Sequence, residues 1–120
     1  MITIVAGSRT FTDKARLFQE LDLLHATSPV TEIISGGAKG ADRLGELWAK
    51  ERGIPVKVFP ANWNLHGKKA GYLRNMDMAS KAQRLVAFWD GESKGTGHMI
   101  NIARDRKLVV HIHGMSRELL

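Results

Sequence analysis

Short apolar runs alternate with amphipathic stretches along the whole chain. The run Ile2-Thr3-Ile4-Val5-Ala6 is nearly continuous, the pattern of a strand covered on both faces rather than on one. After Gly7-Ser8-Arg9, Thr12 or Asp13 can cap a helix on which Leu17, Leu21 and Leu24, with Phe18 beside them, share one stripe. Ser28-Pro29 ends it. A second short strand is expected at 32–35, then a glycine-rich turn, then a helix running to about Arg52, where Gly53 and Pro55 stop it. Val56 to Phe59 reads as a third strand closed by Pro60. The stretch 61–71 shows no periodicity and is expected to be one long irregular loop, the kind that is more often functional than idle. A helix over 72–82 follows, with Leu73, Met76 and Ala79 inward. Further on come a strand at 85–89, a helix with Met99, Ile100 and Ala103 inward, and a fifth strand at 108–112.

Strand and helix in strict alternation imply right-handed crossovers and helices on both faces of the sheet. The expected fold is therefore α/β: a single Rossmann-like three-layer domain over residues 1–120, with a mostly parallel five-stranded sheet in the order 3-2-1-4-5. In such a sheet ligands sit beyond the carboxyl ends of the strands, here where the order switches between strands one and four. Three turns arrive at that edge: Gly7-Ser8-Arg9, Ser35 to Asp42, and Asp90 to Gly97. Each is rich in Gly, hydroxyl and charge, and each precedes a helix.

That coincidence suggests a phosphate cradle. The backbone N–H groups of Gly36, Gly37, Gly95 and Thr96 are expected to meet phosphate oxygens, helped by the hydroxyls of Ser8, Ser35 and Thr96. Arg9 offers a two-pronged grip and Lys39 a point charge. Asp42 and Asp90 are the candidates for ribose hydroxyls or acid–base work, against helix capping and turn formation as their structural alternatives. Arg74 and Asn75 are expected to face the same cleft, and Trp63 is the best of three stacking candidates with Tyr72 and Trp89; Trp48 reads as core. The spacing Ser35-Gly36-Gly37-Ala38-Lys39-Gly40-Ala41-Asp42 matches neither the Walker nor the dinucleotide-binding glycine pattern.

Composition narrows the partners. A formal net charge of +6, from 18 Lys+Arg against 12 Asp+Glu, favours anionic ligands, but the basic residues are dispersed and form no arm. With no cysteine, disulfides and thiolate metal sites are excluded. His111 and His113 share a face of the last strand, yet without a carboxylate beside them no metal is expected. The apolar start is too short for a signal peptide and no run reaches membrane-spanning length, so the expected location is cytoplasmic, with no membrane partner. The short third strand and the tail from Gly114 leave room for a homo-oligomer.

Taken together, several segments resemble the YspA-like branch of the SLOG superfamily. They are Gly7-Ser8-Arg9 with Phe11, the turn from Ser35 to Asp42, and Gly67-Lys68-Lys69-Ala70-Gly71 followed by Arg74-Asn75. Ala87-Phe88-Trp89-Asp90-Gly91 with Ser93 and Gly95-Thr96 completes the set. The superfamily is Rossmann-like and includes the LONELY GUY phosphoribohydrolases and the DNA-processing protein DprA. The resemblance implies a nucleotide or nucleotide-derivative site built from these turns. It departs from the phosphoribohydrolase motif P-G-G-x-G-T-x-x-E, because Gly95-Thr96 is followed by Gly97-His98-Met99 and the catalytic glutamate has no counterpart. Asp42, Glu46 or Asp90 are the acids left to serve. Three functions are therefore carried forward. The first is sensing or sequestering a nucleotide-derived ligand, of unidentified base and cofactor type. The others are hydrolysis of a glycosidic or phosphate bond in such a ligand, and single-stranded nucleic-acid binding.

Overall fold

The computed structural model describes residues 1–114; the tail beyond Gly114, considered above for oligomer formation, lies outside the described residues. Five strands alternate with helices: β1 (Ile2–Gly7), α1 (Lys14–Thr27), β2 (Glu32–Ser35), α2 (Ala41–Glu51), β3 (Val56–Val58), α3 (Trp63–His66), a 3-10 turn (Gly67–Lys69), α4 (Ala70–Lys81), β4 (Arg84–Trp89), α5 (Lys94–Asp105) and β5 (Val109–Gly114). The sheet is wholly parallel in the order β3-β2-β1-β4-β5, as expected.

Period-two alternation divides the strands' side chains between two cores. Val5, Ile33, Val86 and Phe88 pack with Leu17, Leu21, Trp48 and Ala49 of α1 and α2. Ile4, Ala6, Ile34, Leu85 and Ala87 pack with Met78, Ala79, Met99, Ile100 and Ala103 of α4 and α5. Both faces of β1 and β4 are thus buried, which is why their sequences lack polar alternation. Asp13 caps α1 by accepting from the Arg16 N–H at 3.1 Å, and the Trp48 indole donates to Asp22 at 2.9 Å. At the strands' amino ends Arg84, only 1% exposed, donates to the Thr3 hydroxyl and the Ser28 carbonyl, each at 3.0 Å.

Two expectations need correction. The stretch 61–71 is not an irregular loop: Asn62 accepts from the Leu65 N–H at 3.1 Å and starts α3, and the 3-10 turn carries the chain into α4. α4 also presents a different face. Leu73 and Met76 are 40% and 39% exposed, whereas Ala70, Asn75, Met78 and Ala79 are buried. Ala79 is inward as expected, but the inward stripe includes a polar residue, Asn75, in place of Leu73 and Met76, which hydrophobic periodicity alone does not pick. Edge strand β3 exposes Val56, Lys57 and Val58.

Trp48 anchors the α2 face, being fully buried. Its replacement by alanine is expected to lower the unfolding free energy by about 3–5 kcal/mol, measured by urea denaturation. A loss of about 1 kcal/mol or less would count against that placement.

Candidate functional site: a cationic cleft at the strand switch

The turns after β1, β2 and β4 meet at one end of the sheet, and Ser8 joins them. Its N–H donates to the Phe88 carbonyl at 3.0 Å, its carbonyl accepts from Phe11 at 3.1 Å and Ala41 at 3.4 Å, and its hydroxyl accepts from the Asp90 N–H at 3.2 Å. Gly40 makes this approach feasible. It adopts φ +80°, and a Cβ there would overlap the Ser8 carbonyl oxygen and lie 2.7 Å from that of Arg9. The first turn of α2 is therefore pressed backbone to backbone against the end of β1.

The turn from Ser35 to Asp42 is tied internally. The Ser35 hydroxyl, fully buried, donates to Glu46 at 2.6 Å and accepts from the Gly37 N–H at 3.0 Å. The Gly37 carbonyl accepts from Arg43 at 3.2 Å. Arg74 reaches across from α4 and donates to the Gly36 carbonyl at 2.7 Å and, from Nε, to the Asn75 side-chain oxygen at 3.0 Å. A Cβ on Gly36 would sit 2.5 Å from Arg74 Nη1 and 2.9 Å from Asp42 Oδ2, so the guanidinium and the carboxylate converge over this glycine.

The turn after β4 is arranged differently. Both carboxylate oxygens of Asp90 are engaged: Oδ1 accepts from the Glu92 and Ser93 N–H groups at 2.8 Å each, and Oδ2 from the Ser93 hydroxyl at 3.2 Å. Ser93 is the N-cap of α5, where a serine hydroxyl ordinarily accepts from the first helical turn. Here that hydroxyl is directed to Asp90 and to the Ser8 hydroxyl, and it makes no capping bond. The first-turn N–H groups of Lys94, Gly95 and Thr96 are left at the positive end of the helix dipole.

These elements surround a cleft of about 670 Å³, within the range of small-molecule sites. Of the residues singled out from sequence, Gly7, Arg9, Asp42, Arg74, Asn75, Asp90, Ser93, Gly95 and Thr96 line it, as do Trp63 and Tyr72. Ser8, Ser35, Gly36, Gly37, Lys39 and Gly40 are not in its wall; the first four are occupied in bonds that shape the turns, and Lys39 is exposed. Trp89 also lies outside the wall, its indole N–H donating to the Ser93 carbonyl at 3.0 Å. Lys68, Lys94 and His98 line the cleft without having been assigned a role from sequence. The two lysines flank glycines in motifs already visible, and that adjacency was the available signal. His113, by contrast, stacks on Phe88 at 5.0 Å and lies 3.4 Å from Glu20, away from the cleft. Among the described residues no cluster of three or more His, Cys, Asp or Glu side chains is placed to hold a metal.

Charge in the wall is uneven: Arg9, Lys68, Arg74 and Lys94 face Asp42 and Asp90. The two carboxylates differ. Backbone donors from Ser93 and Glu92 hold Asp90 below the usual carboxylate range. Burial drives Asp42 up to about 6, assisted by the neighbouring Glu46 and opposed by the Ala38 and Gly36 amides and by Arg74. Arg74 is itself lowered, chiefly by burial. Asp42 is thus the acid in this cleft able to exchange a proton near neutral pH.

A parallel sheet in this order, with its cleft at the switch between β1 and β4, defines a Rossmann-like α/β protein. The chain belongs to the YspA, cpYpsA-related SLOG family (YAcAr), whose model matches residues 1–66. It is 36% identical over 108 residues to the Gene 61 protein of Mycobacterium phage D29, a match covering 84% of this chain and 86% of that protein. Its fold is similar to that of DNA processing protein A (DprA) from Streptococcus pneumoniae, with a TM-score of 0.71 at 16% sequence identity. That likeness covers 93% of this chain but spans only 49% of the DprA chain, about half its length.

Two outcomes follow from the geometry. Gly40→Ala is expected to destabilise the fold by about 2–4 kcal/mol, read by chemical denaturation. A neutral substitution would mean that the two turns are not in backbone contact. For Asp42, a folded-state pKa above the ordinary 3.8 means that the native state binds the extra proton between 3.8 and about 6. Its contribution therefore favours folding at low pH and is lost as pH rises through that window. Asp42→Asn should accordingly gain on the parent by about 2–3 kcal/mol between pH 4 and pH 7. A pH-independent difference in unfolding free energy would contradict the assignment.

Proposed function

We propose that the protein binds a phosphate-bearing, nucleotide-derived small molecule in this cleft and senses or sequesters it without chemical change. The observation that carries the reading is the start of α5. Its N-cap hydroxyl is turned away, leaving helix amides beside a wall that holds Arg9, Lys68 and Lys94. Amides at a helix N-terminus with cations around them form a site for phosphate oxygens. Trp63 and Tyr72, each 56% exposed, line the same cleft and offer aromatic surface to a flat group. Membership of the SLOG family supports a nucleotide- or nucleic-acid-related role. Among the described residues no helix is long and apolar enough to cross a membrane.

The hydrolase alternative rests on a specific feature, the raised pKa of Asp42 inside the cleft. The two readings separate on one sample. Ribonucleoside monophosphates and ADP-ribose are added to the protein, melting is followed, and the ligand is recovered for mass spectrometry. At about a hundred times its Kd, a binding nucleotide adds about 2.7 kcal/mol to stability and returns intact. Turnover that Asp42→Asn abolishes would establish the hydrolase instead. Lys94→Ala is expected to weaken a phosphate-bearing ligand by about fivefold to tenfold. Binding only to single-stranded oligonucleotides, falling steeply with salt, would replace both readings by the nucleic-acid one.

A further inference from the structure

Asn75 is buried at the junction of α4, α5 and the cleft. Its side-chain oxygen accepts from Arg74 Nε, and this fixes which end of the amide faces α5. The NH2 group lies 3.3 Å from the Gly95 carbonyl oxygen and 3.1 Å from His98 Nδ1. An amide nitrogen only donates, so Nδ1 must accept, and a neutral imidazole that accepts at Nδ1 carries its hydrogen on Nε2. Burial lowers the His98 pKa and so favours the neutral ring. His98 Nε2 is a buried nitrogen with no hydrogen-bond partner among the described residues. An unpaired buried donor of this kind calls for an explanation, and in the wall of a cleft a bound guest supplies one.

We infer that His98 reads the guest, donating from Nε2 to an acceptor atom on the part of the ligand that does not carry phosphate. This deepens the proposed function and rests on it. His98 follows Lys94 by just over one helical turn, roughly 6 Å along α5, and so lies beyond the amides assigned to phosphate. Met78, Met99 and Tyr72 line the same cleft, and Tyr72 packs directly on His98, surroundings suited to a flat heterocycle with a carbonyl oxygen or ring nitrogen at its edge. The Tyr72 ring packs on the imidazole with centroids 3.5 Å apart and planes 31° apart. Tyr72 is largely exposed and is held by no hydrogen bond among the described residues, so moving its ring off the imidazole breaks none.

Two measurements test this. A long-range 1H–15N spectrum of histidine-labelled protein at neutral pH should show His98 protonated on Nε2 alone; a hydrogen on Nδ1 overturns the inference without any ligand. Calorimetry then compares the four ribonucleoside monophosphates with ribose 5-phosphate on the parent, His98→Phe and His98→Gln proteins. His98→Phe keeps a ring against Tyr72 and should weaken the best-bound monophosphate by about tenfold, leaving ribose 5-phosphate unchanged. His98→Gln, which returns an N–H near Nε2, should recover part of the loss. An unaffected monophosphate, or equal weakening of both probes, overturns the role of His98 while leaving the binding site standing. Failure of the parent protein to bind any of these five compounds or ADP-ribose overturns the binding proposal itself and this inference with it.

Discussion

The molecule's working end depends on the close approach of two main chains, the start of α2 against the last residues of β1. Gly40 permits it, and Ser8 converts it into a fixed arrangement by bonding to β4 and to the turn that follows β4. Because the turns after β1, β2 and β4 meet at this one seryl residue, the positions of Arg9, Asp42 and the amino end of α5 are set together. A shift of any one turn would have to break backbone hydrogen bonds with little water nearby to replace them.

On that frame the polar groups divide into those that build and those that remain available. Arg74, expected to face the cleft, does line it, but its Nε and Nη1 are engaged by the Asn75 side-chain oxygen and the Gly36 carbonyl. Ser35 and Asp90 are likewise engaged within the turns. What remains are helix amides, peripheral cations and one buried carboxylate. Burial outweighs the attraction between Asp42 and Arg74, since each is displaced toward its neutral form. Desolvation exceeding a Coulombic gain is the usual balance for charges withdrawn from water.

Much of this was legible in the chain. The alternation of runs such as Ile2 to Ala6 with the Leu17–Leu21 stripe led directly to the sheet order, and glycine and hydroxyl content located the edge where turns gather. Of the turn after β2 only Ala38 and Asp42 line the cleft, and sequence does not distinguish glycine backbone groups that face a guest from those bonded within the turn or to Arg74, as the Gly37 N–H and the Gly36 carbonyl are. On α4 Ala79 was placed correctly but Leu73 and Met76 were not, because the inward row includes Asn75, a residue that periodicity assigns to water. His98 carried no signal in sequence. Its importance comes from an amide whose orientation is imposed by Arg74, a relation between side chains that pattern cannot display.

The outer strand β3 has a consequence beyond the site. Three residues long and centred on the exposed Lys57, it offers few free main-chain groups. Another polypeptide cannot readily zip onto so brief and charged a border. That edge of the sheet is thereby guarded against lateral growth into aggregates, even though Val56 and Val58 are exposed.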